Sequence, residues 1–332
     1  MAGGKTSGPG SLFNLLLRVP RSGSLDAEDP EGYGKEDRAG LLREIRNIEI
    51  TTGILVKGLQ SGLHLSVFRG QGVEFTDIRE YVPGDDIRSI DWKVTARSER
   101  PFVKEFREDR DQTFYIALDI SGSGLFGSRV TRQRVMIQVL ASLGFAALRN
   151  NDRVGLFLFS DRVEKFIPAR RGRKHLISLL NAAISHTPES RGTDISGALH
   201  FLGLALQRQS SIIILSDFIA PPFEKEIQLL AGRHEVIAAR VTDPRELDLP
   251  DIGFIELEDP ETGEQVLADT SDAAFRERYR DIAEIEEKHF SAVLAAARVP
   301  GIRIFTTESY EIPIRRFFLG LKKKRNSHGR VY

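Results

Sequence analysis

The sequence predicts an α/β fold, a mostly parallel sheet flanked by helices, on three observations. From Thr113 onward, short runs of β-forming apolar residues alternate with stretches of helical spacing, the signature of strands joined by crossover helices. Two of those runs, Thr113–Leu118 and Ser211–Leu215, are mostly apolar, as strands buried on both faces are. Both lead into a carboxylate, Asp119 and Asp217, at the strand end where open α/β sheets form their binding crevices.

Before Thr113 the texture differs. Residues 1–38 are rich in Gly, Ser, Pro and charge and read as a largely disordered segment. Within them, Leu12–Val19 is an apolar patch, read as a terminal helix tucked against its own domain, with a peripheral membrane surface or a partner as alternatives. Gly4-Lys5-Thr6 resembles the end of a phosphate loop, but no strand precedes it. Leu41, Leu42, Ile45 and Ile48 have helical spacing, predicting a helix over Leu41–Leu59 that breaks near Gly53. Short β-like pieces follow, Leu63–Phe68, Val73–Val82 and Phe102–Phe106, around a Pro83-Gly84-Asp85-Asp86 turn. Residues 39–110 are thus expected to form a helix plus a β-rich subdomain. Asp85 and Asp91 invite an acid/base reading, but surface arginine–carboxylate bridges fit this charge-dense turn better.

The main domain is expected over 111–308. Strand Thr113–Asp119 leads to a helix near Val130–Asn150, then to strands Val154–Phe159 and Val163–Ile167. Only Ser160-Asp161-Arg162 separates these two, so that edge is expected to be an antiparallel hairpin. A helix near Lys174–His186 and a loop at Thr187–Gly192 come next. Thr193-Asp194 then suits the cap of a helix over Ile195–Gln207. Strand Ser211–Asp217, helix Phe223–Arg233 and strand Glu235–Val241 follow. The remainder reads as a hairpin of Gly253–Leu257 with Gln265–Ala268, a helix Ala273–Arg298 and a strand Ile302–Thr306. Residues 309–332 are expected to be a helix around Ile312–Leu321 and a solvated basic tail at Lys322–Arg325.

The chemistry concentrates at Asp119-Ile120-Ser121-Gly122-Ser123. An extended turn sends alternate side chains to one side, so Asp119, Ser121 and Ser123 offer oxygen ligands to one point. With Thr193 and Asp217 from the other two loops, two carboxylates and three hydroxyls would fill up to five of six octahedral positions. Oxygen-only sets suit hard cations, Mg2+ first, with Mn2+ or Ca2+ as alternatives. Gly122, Gly124 and Gly127 also make a G-x-G-x-x-G, a dinucleotide fingerprint. Against it, Asp119 would repel a pyrophosphate, and the next strand ends about 30 residues after the glycines, beyond the ~20 expected of a ribose-binding acid. A Gly/Ser turn whose Asp caps the next helix is the bland alternative.

Asp119-x-Ser121-x-Ser123 with Thr193 and Asp217 resembles the metal-ion-dependent adhesion site of von Willebrand factor A-like domains, over Thr113 to about Thr306. A longer stretch is similar to the domain-of-unknown-function-58 family: Arg79, Tyr81, Pro83-Gly84-Asp85-Asp86, Arg88, Ile90-Asp91-Trp92, Ala96-Arg97 and Val103-Lys104-Glu105, with Gly192–Ile195 and Asp259–Gly263. The resemblance implies a Rossmann-type, von Willebrand factor A-like sheet. It also implies a soluble adaptor or assembly chaperone working with a MoxR-type AAA+ ATPase. By position it implies hydroxyl ligands at Ser121, Ser123 and Thr193, with Asp119 and Asp217 holding the ion directly or through water. Gly124 stands where A-like domains often have Met, a difference expected to affect packing rather than ligation.

Composition narrows the choice. Lys plus Arg equal Asp plus Glu, 47 each, giving no general electrostatic reason for nucleic-acid binding. The absence of cysteine excludes disulfides, thiolate metal sites and cysteine nucleophiles. No apolar run is long enough to span a bilayer and no secretory signal is evident, so a cytoplasmic protein is expected. The leading expectation is a non-enzymatic, metal-dependent protein-binding module. The alternative is a Mg2+-dependent phosphatase or hydrolase with Asp119 as nucleophile. That chemistry wants a second carboxylate where Ser121 stands, and a lysine near the loops, where the sequence has none.

Overall fold

The computed structural model describes residues 16–17, 40–45, 47–49, 74–82, 85, 87–98, 100–107, 112–125, 130–258 and 264–328. Outside the described residues lie segment 1–38 apart from 16–17, residues 50–59 of the helix expected over Leu41–Leu59, Leu63–Phe68, Pro83-Gly84, Asp86, Gly127 and Asp259–Gly263.

In chain order, the strands begin with β1 Leu16–Leu17, β2 Glu74–Glu80, β3 Phe102–Arg107 and β4 Thr113–Asp119. Helix α1 Arg132–Arg149 leads to β5 Arg153–Phe159 and β6 Val163–Arg170, then to α2 Arg173–Ser185 and α3 Ile195–Ala205. Next come β7 Ser211–Ser216, α4 Glu224–Ala231, β8 Glu235–Thr242, β9 Phe254–Glu258 and β10 Gln265–Asp269. Helix α5 Ala273–Ala297, β11 Gly301–Phe305 and α6 Glu311–His328 complete the chain. The helix at the end continues past Leu321 through the basic run that reads as a tail, because no Pro or Gly follows Gly320 until Gly329. Leu16–Leu17, inside the patch read as a terminal helix, is instead a strand paired antiparallel with β9.

The chain divides into two compact units, residues 64–112 and the remainder. In the smaller, β2 and β3 pair antiparallel with a register shift between Phe75 and Asp77. Arg79 makes a two-pronged ion pair with Asp85 at 2.7 and 2.8 Å, and the Val82 N–H donates to Asp85 Oδ2 at 3.0 Å. The Arg79 bonds first, then Val82, hold the half-buried Asp85 carboxyl down at about 2, so it is an ionised acceptor. Asp91 Oδ1 accepts from the Val94 N–H at 3.3 Å and caps the single helical turn Trp92–Thr95.

The larger unit is built on a six-stranded sheet in the order β11-β8-β7-β4-β5-β6. Every neighbouring pair is parallel except β5 and β6, the hairpin that the tight Ser160–Arg162 connection dictates. Counted along the chain this is the doubly wound 3-2-1-4-5-6, whose connections reverse direction between β4 and β7. It is the mostly parallel, helix-flanked α/β arrangement that the sequence predicts.

Alternate side chains of the central strands pack on opposite faces. Tyr115 and Ala117 of β4, with Ile212 and Ile214 of β7, join the cluster formed with α3, α4 and α5 through Leu199, Leu202, Ile227, Leu230 and Phe290. Ile116 and Leu118 face the other way and are buried almost completely, each burial contributing about 1.5–3 kcal/mol. Helix α1 packs on α2 so closely that a methyl at Gly144 would meet Leu176 Cδ1 at 2.4 Å. Glu44, in the helical residues 40–45, accepts from Gln138 of α1 at 2.9 Å and pairs with Arg134, while Glu49 pairs with Arg173 of α2 at 2.7 Å. Strands β1, β9 and β10 form a separate small sheet. Its inner face buries Ile255, Leu257 and Ala268 against Leu249 and Tyr279.

Candidate metal centre

Strand β4 ends at Asp119 in the middle of the sheet, beside the end of β7, at the reversal point where such sheets open a crevice. Beyond it the chain stays tied to β5 through the Ile120 N–H, which donates to the Phe159 carbonyl at 2.9 Å. Asp119 Oδ1 then accepts from the Ser121 N–H at 3.0 Å, an Asx turn that fixes the direction of the next residues. Ser121 Oγ and Ser123 Oγ lie 3.1 Å apart, so these two hydroxyls share one place. A side chain at Gly124 would start 3.6 Å from Gln133 Cβ and 3.9 Å from Met136 Cε, ordinary contact distances, so this position concerns packing.

From β7, Ser216 is fully buried and donates its hydroxyl to Asp119 Oδ2 at 2.6 Å, while accepting from the Phe218 N–H at 2.9 Å. Asp217 Oδ1 accepts from the Ile219 N–H at 3.0 Å, and Oδ2 is paired with Arg132. The chain turns sharply here: Phe218 has φ +58°, a left-handed conformation unusual for an aromatic residue. Packing of its ring 4.8 Å from that of Phe290 and 6.0 Å from that of Phe223 holds it there.

Thr193 arrives on the loop before α3 and is 7% exposed. The residues around it are pinned. The Arg191 carbonyl accepts from the Gly122 N–H at 2.9 Å, within the Asp119 turn itself, and the Asp194 N–H donates to the Ser160 carbonyl at 3.0 Å. Asp194 caps α3, its Oδ1 accepting from the Gly197 N–H at 2.9 Å. Hydrogen bonds thus join Asp119, Ser121, Ser123 and Ser216, and the backbone ties the Thr193 loop to the same turn.

The electrostatics are uneven. Burial first, and then the nearby Asp217 carboxylate, push the Asp119 carboxyl up to about 6. Beneath Asp217 lies Arg132, with no exposed surface, bridging Asp217 and Glu246. Burial works against the Arg132 charge, but Glu246 and Asp217 outweigh it and hold the group above its ordinary value. Burial also lifts Glu246 to about 7 against the pull of Arg132. Neither Arg132 nor Glu246 is legible as part of the site from sequence. Arg132 follows a capping Thr131 at a position that ordinarily faces solvent, and Glu246 sits in a Pro-initiated turn.

The donor chemistry fits a hard cation. Among the described residues no group of three or more His, Asp or Glu side chains is placed to hold a metal, and the chain has no cysteine. What the rim offers is carboxylate and hydroxyl oxygen, with Arg132 bridging Asp217 and Glu246 and a second buried guanidinium, Arg240, acting on the same two carboxylates.

Comparison with known proteins places the chain in context. An uncharacterised protein of Mycobacterium tuberculosis is 30% identical over 289 residues, covering 86% of this chain and 90% of that protein. The uncharacterised protein YeaD of Bacillus subtilis is 26% identical over 171 residues, covering 50% of this chain and 40% of its own length. Among solved structures, the conserved hypothetical protein BatB from Bacteroides thetaiotaomicron aligns over 64% of this chain and 99% of its own, with TM-score 0.41 and 17% identity. The SpRpn10 VWA domain aligns over 65% and 95%, with TM-score 0.34 and 15% identity. The model of one family, described as "Protein of unknown function DUF58", matches residues 77–289, and the chain belongs to that family.

Proposed function

We propose that the protein is a non-enzymatic, metal-dependent protein-binding module of the cytoplasm, an adaptor or assembly chaperone for a MoxR-type AAA+ ATPase. The observation behind this reading is the pairing of two buried carboxylates, Asp119 and Asp217, beside the hydroxyls of Ser121 and Ser123 at the sheet's reversal point. Ser121, Ser123 and Thr193 supply hydroxyl oxygens, and Asp119 and Asp217 hold the ion directly or through water. When bound, Mg2+ supplies an electrophilic position for a carboxylate of the partner. The protein's own part is to orient its oxygens, and the Ser121 N–H and Ser216 hydroxyl fix both oxygens of Asp119 for that task.

The test is a pull-down with the MoxR-type ATPase, with and without Mg2+, comparing wild type with Asp119→Ala. Capture that needs Mg2+ and is lost in the variant supports the proposal; capture indifferent to both sinks it. Metal-dependent phosphatase turnover that disappears in Asp119→Asn would move the assignment to the hydrolase alternative.

A further inference from the structure

Glu164 is a carboxylate out of place. It lies on β6, the edge strand, between Val163, 39% exposed, and the exposed Lys165, yet its own side chain is 1% exposed. The pairing of β5 with β6 accounts for this. Leu158 lies opposite Lys165 and Phe159 opposite Val163, so Glu164 is the extra residue of a β-bulge and has no cross-strand partner. Bulges re-aim side chains and occur next to functional sites. This one brings the carboxylate under the loop that carries Thr193. Ser160 Oγ donates to Glu164 Oε1 at 2.7 Å, the Glu189 N–H donates to the same oxygen at 3.0 Å, and His186 Nε2 lies 3.0 Å from Oε2. Burial opposes the charge, but these bonds outweigh it and hold the carboxyl below its usual range.

The neighbouring contacts run the same way. Ser190 Oγ donates to Asp161 Oδ2 at 2.7 Å, and the Ser160 carbonyl receives the Asp194 N–H at 3.0 Å. The β5–β6 hairpin thus grips residues 186–194 at four places, and Gly122 holds the far side through Arg191. A buried carboxylate on an edge strand is an expensive way to fill space, and an apolar side chain would do that without the cost.

We infer that Glu164 is a positioning residue for the metal centre, fixing the Thr193 hydroxyl at the rim by clamping the 186–194 loop to the β5–β6 hairpin. The inference rests on the reading of the rim as a Mg2+ site. Groups that orient metal ligands alter affinity without touching the ion, by about ten-fold or more when removed.

The test is Mg2+ titration by calorimetry on the full chain for wild type, Asp119→Ala, Thr193→Ala, Glu164→Ala and the Glu164→Ala/Thr193→Ala pair. Alanine is the informative replacement, because a glutamine oxygen would still accept from Ser160 and the Glu189 N–H. The expected result is Mg2+ affinity about ten-fold weaker in Glu164→Ala, with the double variant no weaker than Thr193→Ala alone, because both losses pass through one hydroxyl. Unchanged affinity in Glu164→Ala, or losses that add in the double variant, would overturn the clamp while leaving the metal site standing. Unchanged affinity in Asp119→Ala would remove the metal site and the clamp together. Should Glu164→Ala fail to fold, His186→Ala removes one grip from a side chain 19% exposed and is read against Thr193→Ala in the same way.

Discussion

Ser216 Oγ donates a 2.6 Å hydrogen bond to Asp119 Oδ2, joining the ends of β7 and β4 across the reversal point of the sheet. Both groups are buried, and the same hydroxyl accepts from the Phe218 N–H, so one side chain fixes a carboxylate and a strained turn together.

Ser216→Ala removes that link without removing any of the five candidate ligands. The expected outcome is Mg2+ binding weakened by about ten-fold, read by calorimetry. Stability falls by about 1–3 kcal/mol, because Asp119 Oδ2 and the Phe218 N–H both lose a buried partner. Urea unfolding measures the second effect.

The pH response follows from Asp119. Its carboxyl is raised from 3.8 to about 6, so the fold favours the neutral form when no ion is bound. That contribution to stability is fully present below 3.8 and is lost as pH rises through about 6. Ion binding needs the charged form and offsets the loss. The rise in melting temperature on adding Mg2+ is therefore expected to be small near pH 5 and large near pH 7.5. A shift of equal size at both values would contradict it.

Arg132→Met is expected to cost about 3–5 kcal/mol in urea unfolding, since it strands the buried carboxylates of Asp217 and Glu246 without their cation. Glu246→Gln is expected to cost less, because Arg132 keeps Asp217.

Gly155→Ala tests the packing of β5. A methyl there would sit 2.4 Å from Tyr115 Cε1 and 3.0 Å from the Ala169 backbone nitrogen, and the Tyr115 hydroxyl already accepts from that N–H at 3.3 Å. Tyr115 stacks on Phe166 with ring centres 5.6 Å apart, so it has little room to move. Destabilisation of about 1–3 kcal/mol is expected, measured by thermal or urea unfolding.

The parts legible in the sequence are those written in contiguous residues. The apolar runs ending at Asp119 and Asp217 predict two central strands, and the Ser160-Asp161-Arg162 connection predicts the antiparallel edge. The cap at Asp194 is likewise local. Features that depend on contacts distant in sequence were not legible. Arg132 and Glu246 meet only because α1 and the turn after β8 converge beneath Asp217. The bulge at Glu164 depends on its register with β5, which the alternation of β6 alone does not reveal. Leu16–Leu17 becomes a strand because β9 offers an edge, whereas its own composition reads equally well as helix.

The central position of β4 has a consequence for biosynthesis. Its partner across the reversal point, β7, is made long after it, and the counter-charge under Asp217 is anchored by Glu246, later still. A nascent chain that has not yet delivered Glu246 from the ribosome has Asp119, Ser121 and Ser123 but no finished rim to place them in. Completion of the rim therefore waits until the chain has been made through Glu246, well after its first oxygens have left the ribosome.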